Sequence, residues 1–408
     1  MAKRKKKAQR RSQRRREKSE ARADAKRLAL RRMAERLGLG DLIRSPDIRE
    51  AITSRWYPRP VVEAASDTQR DPRVPALLEE LKSILPNVTF ECPVLGSATP
   101  VVAFFELVFP VLEAFARLPV ISEFNDPFAH HRRRLAPLAA PETVALAVTT
   151  VHTALENALI RHGRIDCKLY FLEVSASRNE DHQRRLRFVV HAVHPEITTF
   201  ESDRGPRKAF RCGQPFGPSG IEWATWDPAN LGIAGVPGPL PVYVQSHALH
   251  RLYERLNFIR DGEWFLHDLL WQSLRQPEFV GRDSSTDRLL VIYRLAQHRL
   301  GYLACRVLRD KVVVETFLFL TMDGTPEGQK LRERLRLRRP DREYLGLDEI
   351  GTFLASDIQE DEELVAILSD CGCGHLFKML KEPSVGDSVR GYASDLRRYL
   401  KLPTGRPS

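Results

Sequence analysis

The stretch PVYVQSHALHRLYERLNFI, residues 241–259, joins a short alternating segment to one with helical spacing. Val242 and Val244 alternate with more polar neighbours, which is typical of a strand. Ser246 follows at a position that favours a helix N-cap. The apolar face of the next segment repeats at helical spacing, through Leu249, Leu252, Tyr253 and Leu256. The sequence therefore predicts a strand that leads directly into an amphipathic helix.

The residues after this helix predict a second helix and then an antiparallel sheet. Asp261 is placed to cap a helix that runs through Leu274. Three β-rich runs follow, at Arg288–Leu295, Leu300–Leu308 and Lys311–Leu320. The connection between the last two is short enough for a tight hairpin. Two helices followed by an antiparallel sheet are an α+β arrangement, and we expect residues 241–339 to form one such module.

The rest of the 408-residue chain is long enough for further domains. Helical stripes and strand-like runs predict an α/β domain over residues 74–204, with a helical extension at 17–43. Glycine and proline dominate 205–240, which we interpret as a linker held to the body by Trp223 and Trp226. The chain is expected to be α+β overall, with a helical N-terminal half that carries a small sheet and a helical C-terminal region at 340–408.

Three shorter upstream segments have simpler interpretations. The apolar window 100–121 contains three charged residues and Pro110, so we expect a buried element and no membrane span. The run His130–Arg134 is interpreted as a solvated loop. His152 and Glu156 lie one helical turn apart and are interpreted as an exposed pair.

The positive charge of the chain is concentrated at its start. Residues 1–36 carry 17 of the 64 Lys and Arg and 4 of the 53 Asp and Glu, so 47 basic and 49 acidic residues remain in the body. Residues 1–16 are expected to be a disordered tail that binds nucleic acid, with RNA the expected form, or another polyanion without reading sequence. A solubilising or localising tail is the alternative. Its basic residues are Lys3, Arg4, Lys5, Lys6, Lys7, Arg10, Arg11, Arg14, Arg15 and Arg16.

Cysteine usage favours a reducing compartment. Six cysteines are too few for a disulfide framework in a chain of this length, and no apolar leader follows the first residues, so we expect a cytoplasmic protein. Cys371, Cys373 and His375 offer three soft ligands but lack a fourth and lack the Cys-x-x-Cys spacing of a zinc knuckle. No metal or cofactor is predicted, because no phosphate-binding loop, metalloprotease helix or nucleophile elbow is present in the sequence.

A second face of the 246–255 helix carries His247, Arg251, Glu254 and Arg255. The motif SHALHRLYERL, followed by the predicted helix and sheet, resembles the barnase/RelE/colicin-like group of small ribonuclease folds over residues 241–321. The resemblance implies that His247 acts as general acid or base, that Arg251 and Arg255 stabilise phosphate charge, and that Thr316 or Thr321 supplies a polar group from the last strand. The alternative for this face is an ordinary solvated helix surface.

These observations predict a nucleic-acid-associated protein that contains a ribonuclease-like module. A non-catalytic protein that uses its tail to bind acidic partners or ribosomal RNA is the second hypothesis. The helix dipole disfavours an imidazolium near a helix N-terminus, so His247 is better suited to accept a proton than to bind phosphate.

Overall fold

The computed structural model describes positions 21, 24 and 28 and residues 31–53, 59–92, 94–117, 126–178, 184–202, 205–217, 220–231, 238–256, 262–283, 288–295, 298–308, 310–379 and 392–402. The basic tail, residues 1–16, lies outside this range. The fold is α+β, as predicted, and the chain divides into two units. The first is formed by residues up to Leu159 with Phe171–His191 and Gly217–Gly220, and the second by Ile160–Tyr170, Ala192–Phe216 and Ile221–Ser408.

The first unit combines helices with two small sheets. Its helices are α1 (Pro46–Thr53), α2 (Val74–Ile84), α3 (101–117), α4 (Ala129–Leu135) and most of α5 (Pro141–His162). Strand β1 (Arg59–Ala64) pairs in parallel with β5 (Arg184–Val193), which lies between β1 and β4 (Leu169–Arg178). Strands β2 (Thr89–Cys92) and β3 (Gly96–Pro100) form a separate hairpin.

Helix α3 confirms that the apolar window is a buried element. Its apolar side chains are buried, and they include Val101, Phe104 and Leu107. The helix contains one π-helical turn at Phe104–Val108, which ends two residues before Pro110. Proline removes a backbone donor and crowds the preceding turn, and a locally widened helix is one way to accommodate it.

Helix α4 corrects the prediction of a solvated loop at residues 130–134. His131 is buried and its Nε2 lies 2.7 Å from an Asp41 carboxylate oxygen. Arg134 donates to the carbonyls of Leu37 and Gly38 at 3.0 and 3.1 Å. The helix therefore holds the segment that precedes α1, and its polar residues have structural partners.

Helix α5 corrects the prediction of an exposed His152–Glu156 pair. His152 is 6% exposed and its Nδ1 lies 3.9 Å from Glu156. Burial raises the pKa of Glu156 above its usual value. Within the described ranges, α5 is the one helix whose length and mean hydropathy would suffice to cross a membrane, which is weak evidence because a core helix passes the same test.

The second unit is built on a mixed sheet. Its strands are β6 (Ile197–Ser202), β7 (Gly205–Arg211), β10 (Thr225–Trp226), β11 (Leu240–Gln245), β12 (Phe279–Asp283), β13 (Arg288–Leu295), β14 (His298–Val307) and β15 (Val312–Phe319). They follow the order β12-β13-β14-β15-β11-β7-β6, with β10 paired to β11. The three β-rich runs form the predicted antiparallel meander, β13-β14-β15. Strand β11 adds to this meander by pairing in parallel with β15.

Strands within residues 205–240 correct the prediction that this stretch is a linker. Besides β7 and β10, it contains β8 (Gly213–Pro215) and β9 (Ile221–Trp223), which pair with each other. Trp226 is buried, and its indole nitrogen donates to the Leu274 carbonyl at 2.7 Å. Trp226 therefore holds this stretch to the body as predicted, but as part of the sheet. The predicted domain boundaries stay predictions.

Two helices follow β11, as the opening stretch predicts. Helix α6 (Ser246–Arg255) starts immediately after the strand, with Gln245 at the N-cap in place of Ser246. Leu249, Leu252 and Leu256 of the predicted apolar face are buried. Helix α7 (Glu263–Arg275) follows.

The described part of the chain after β15 is helical, and this includes the helical C-terminal region expected at 340–408. Its helices are α8 (Pro326–Leu335), α9 (Arg339–Tyr344), α10 (Ile350–Ala355), α11 (Glu362–Leu368), α12 (Gly374–Met379) and α13 (Tyr392–Leu400). Thr325 caps α8 by accepting a hydrogen bond from the Gly328 amide at 2.9 Å. Leucine side chains from these helices, such as Leu364 and Leu396, join the core of the second unit.

Candidate functional site

His247 lies at the junction of two adjoining cavities in the second unit. The sheet cavity has a volume of about 280 Å³, and the residues on which its chemistry depends are Arg207, His247, Arg288, Arg306, Glu315 and Thr316. The helix cavity has a volume of about 230 Å³, and its charged residues are Arg251, Arg255, Asp323, Arg339, Arg342, Glu343 and Asp348. Because His247 and Thr316 line both cavities, the two form one groove, which we call the arginine groove.

The parallel pairing of β11 and β15 places His247 in this groove. Val244 of β11 pairs with Val314 of β15, so the start of α6 lies beside the next residues of β15. The N-terminus of a helix that follows a parallel strand carries unpaired amides and the positive end of the helix dipole. Gln245 and His247, at the start of α6, both line the sheet cavity. This part of the groove therefore favours anionic ligands.

A β-bulge in β15 brings Glu315 and Thr316 into the same cavity. Thr316 pairs with Ala304 of β14 and Val314 with Cys305, so Glu315 is the additional residue. Consecutive strand residues normally point to opposite faces, and a bulge re-aims one of them. Both residues line the sheet cavity as a result.

Glu315 holds two arginines from neighbouring strands. Its carboxylate is 5% exposed and lies 2.5 Å from Nε of Arg288 on β13 and 2.8 Å from Nε of Arg306 on β14. One carboxylate thus fixes two guanidinium groups that are each about one-third exposed. Arg207 adds a third positive charge from β7, and within the described chain it makes no ion pair. The sheet cavity therefore has more positive than negative charge and a fixed arrangement of donors.

The helix cavity, in contrast, is close to neutral. Each of its arginines lies beside a carboxylate. Arg251 lies 2.6 Å from Glu254, Arg339 lies 2.8 Å from Glu343, Arg342 lies 2.6 Å from Asp323, and Arg255 contacts Asp348. The cavity therefore offers little uncompensated charge to an anion.

Arg255 is buried, so the alternative of an ordinary solvated helix surface does not hold at this residue. It is 4% exposed, and Asp348, its partner, is 3% exposed. Burial raises the pKa of Asp348 in spite of the adjacent guanidinium, because taking the carboxylate out of water costs more than the pairing returns. This pairing makes Arg255 a structural support of the groove wall, and its predicted phosphate-binding role stays a prediction.

The two threonines named from the last strand differ in position. Thr316 lies on β15 and lines both cavities. Thr321 lies beyond the end of β15, is fully buried, and donates to the Leu347 carbonyl at 2.6 Å. Only Thr316 is placed to meet a ligand.

The cysteines at the C-terminal end lie where burial disfavours metal binding. Cys373 is fully buried, and burial raises the pKa of its thiol, which disfavours the thiolate that a metal requires. Among the described residues, no group of three or more His, Cys, Asp or Glu side chains converges as metal ligands would.

Four charged residues of the sheet cavity were missed from the sequence, namely Arg207, Arg288, Arg306 and Glu315. One feature of the sequence could have indicated them. Glu315 is the single charged residue in the run VVVETFLFL at 312–320. A buried carboxylate in an apolar strand requires charged partners from adjacent strands. The three arginines lie on different strands and share no sequence motif.

Comparisons with protein-family models, with curated proteins and with solved structures found no match to this chain. The likeness to small ribonucleases therefore rests on the residues of 241–321 alone.

Proposed function

We propose that this protein binds RNA in the arginine groove and cleaves its phosphodiester bonds with His247 as the general base. The observation that carries the proposal is the sheet cavity, where His247 lies together with three arginines and the buried Glu315. Phosphodiester transfer requires a group that accepts a proton from the nucleophile and cations that stabilise charge on the phosphate oxygens. Both kinds of group line this cavity.

Each residue has a defined part in the proposed reaction. Arg288 and Arg306 hold the non-bridging phosphate oxygens, and Glu315 positions both guanidinium groups. His247 accepts the proton of the ribose 2′-hydroxyl, whose oxygen attacks phosphorus. The bond from phosphorus to the 5′ oxygen breaks, the 5′ oxygen takes a proton from water, and the product is a 2′,3′-cyclic phosphate.

The basic tail contributes to the proposal as a non-specific anchor. Its ten positive charges, from Lys3 to Arg16, are able to neutralise RNA phosphates without reading sequence. We place the activity in the cytoplasm, which the free thiols of the six cysteines favour.

The alternative function is non-catalytic binding of RNA or acidic proteins. It predicts binding that depends on the basic tail and is independent of the groove.

The test uses an RNA oligonucleotide and its 2′-O-methyl analogue. The full-length protein is expected to cleave the RNA to products that end in a cyclic phosphate and to bind the analogue without cleaving it. His247→Ala is expected to lower the cleavage rate by about 10²- to 10⁴-fold, the usual contribution of a general base. His250→Ala is the matched control, because His250 is an exposed histidine on the same helix.

A second pair of variants separates the groove from the tail. Arg207→Ala is expected to weaken RNA binding, whereas Lys208→Ala, at an exposed neighbouring position of β7, is expected to leave it unchanged. Cleavage that is equal in the wild type and His247→Ala, or absent from both, would remove the catalytic function. RNA binding that depends on residues 1–16 and is unaffected by Arg207→Ala would favour the non-catalytic alternative.

A further inference from the structure

An exposed pair of tyrosines lies next to the arginine groove. Tyr344 is the last residue of α9 and is 81% exposed. Its ring lies 6.1 Å, centroid to centroid, from the ring of Tyr399 on α13, at an interplanar angle of 31°. Arg339 and Glu343, which precede Tyr344 on α9, line the helix cavity. The tyrosine pair therefore lies at the edge of the groove.

One carboxylate holds Tyr399, the less exposed member of the pair, in place. The Tyr399 hydroxyl donates to Asp341 Oδ1 at 2.6 Å. The other oxygen of Asp341 accepts from the Arg338 amide at 2.7 Å, which fixes the start of α9. Tyr399 is thus anchored, while most of the Tyr344 side chain is open to water. A large aromatic side chain this exposed is a feature of binding surfaces.

A series of exposed arginines, the arginine row, runs from the last turns of α8 to the first residue of α9, the helix that ends at Tyr344. Leu337 and Arg342 are buried and anchor the α8–α9 connection. Arg336 has a φ of 53°, a left-handed conformation that is unfavourable for a residue with a side chain. Within the described chain, Arg332, Arg336 and Arg338 make no ion pair. The exposed arginines of the row are Arg332, Arg334, Arg336, Arg338 and Arg339.

Exposed arginines beside an open aromatic face suit single-stranded nucleic acid. Guanidinium groups neutralise the phosphate backbone, and an aromatic ring stacks on an unpaired base of any sequence. A duplex would present phosphates to the arginines but no free base face to Tyr344. An acidic protein segment would also pair with the arginines, but it has no flat ring to cover the tyrosine.

We propose that the Tyr344–Tyr399 pair and the arginine row bind single-stranded RNA by stacking an unpaired base on Tyr344. This inference rests on the proposed function, since it names the form of RNA that enters the same groove. The protein then selects single strands and unpaired loops over duplexes. The bound strand crosses the arginine row before its phosphate reaches the sheet cavity.

The experiment measures binding of labelled oligoadenosine by full-length protein, alone and annealed to its complement, by fluorescence anisotropy at several salt concentrations. Tyr344→Ala is expected to weaken single-strand binding by about 5- to 150-fold, which corresponds to about 1–3 kcal/mol for one stacked base. Tyr344→Phe keeps the ring and is expected to bind like the wild type. Duplex binding is expected to be the same in all three proteins, and the stacking effect is expected to persist at high salt, where tail contacts weaken.

Any of the following outcomes would overturn the proposal. Single-strand binding by Tyr344→Ala equal to that of the wild type would show that no base stacks there. An equal loss of duplex binding would show that the tyrosine acts without base stacking. Displacement of the RNA by polyglutamate from wild type but not from Tyr344→Ala would identify an acidic protein surface instead. If Arg207→Ala loses affinity while Tyr344→Ala does not, the proposed function stands and only the tyrosine pair is excluded.

Discussion

The buried pair of Arg255 and Asp348 gives the most quantitative prediction for the groove. Asp348→Asn removes the negative charge while keeping the size of the side chain, and it leaves the guanidinium of Arg255, a residue that is 4% exposed, without its ion-pair partner. Breaking a buried ion pair from one side typically costs about 3–5 kcal/mol. Burial raises the pKa of Asp348, which means that the buried carboxylate itself has a desolvation cost that neutral Asn relieves, so we expect a loss no larger than the lower end of this range, about 3 kcal/mol.

A double variant tests whether burial of the two charges carries a desolvation cost. Replacing both partners by apolar side chains, Arg255→Met with Asp348→Leu, removes both desolvation costs. The free energy of unfolding is then expected to return to within about 1 kcal/mol of the wild type or to exceed it. Glu254→Gln is the control, because Glu254 and its partner Arg251 are partly exposed and such pairs contribute about 0–1 kcal/mol.

The assay is urea unfolding followed by tryptophan fluorescence. Four of the five tryptophans, Trp223, Trp226, Trp264 and Trp271, lie in the second unit, so the signal reports mainly on the unit that contains the groove. This matters because a chain with two units is not expected to unfold in a single two-state transition. A loss below about 1 kcal/mol for Asp348→Asn, at an unchanged slope, would refute the assignment of a buried, desolvated pair. If a stable double variant no longer cleaves RNA, this would support the catalytic role that the sequence suggested for Arg255.

Two further predictions concern the core of the second unit. His267 is 6% exposed, and burial lowers its pKa to about 4 from 6.5. The unfolded chain therefore binds a proton at His267 more tightly than the folded chain does. The contribution of this residue to the free energy of unfolding is fully present above pH 6.5, and up to about 3 kcal/mol is lost as the pH drops toward 4. His267→Gln is expected to flatten that part of the pH–stability curve measured by urea unfolding, and an unchanged curve would contradict the assigned burial. Gly328→Ala would place a Cβ atom 1.9 Å from the Met322 carbonyl oxygen, so we expect a loss of about 1–3 kcal/mol or more in thermal unfolding, with Gln329→Ala as the tolerated neighbour.

Structural features that depend on residues close together in the chain were predicted correctly. The strand–helix junction at Gln245–Ser246 and the β13-β14-β15 meander were both predicted from the sequence. Each depends on periodicity or on a side chain that bonds to the backbone within a few residues, so the local pattern contains the physical cause. The linker prediction for 205–240 was wrong because glycine and proline indicate turns but do not exclude the short strands between them.

The sequence predicts only some of the residues that form the groove. The pattern of α6 singled out His247, Arg251 and Arg255 as one face, and these residues do line one groove. Only the tertiary structure pairs Arg255 with Asp348, 93 residues further along the chain, and so separates a structural arginine from those exposed to a ligand. It also brings Arg207, Arg288 and Arg306 around Glu315 through strand pairing and a one-residue bulge. The sequence by itself determines which helices and strands form, because their causes are local, whereas the charge balance of the groove depends on which distant carboxylate lies beside each arginine.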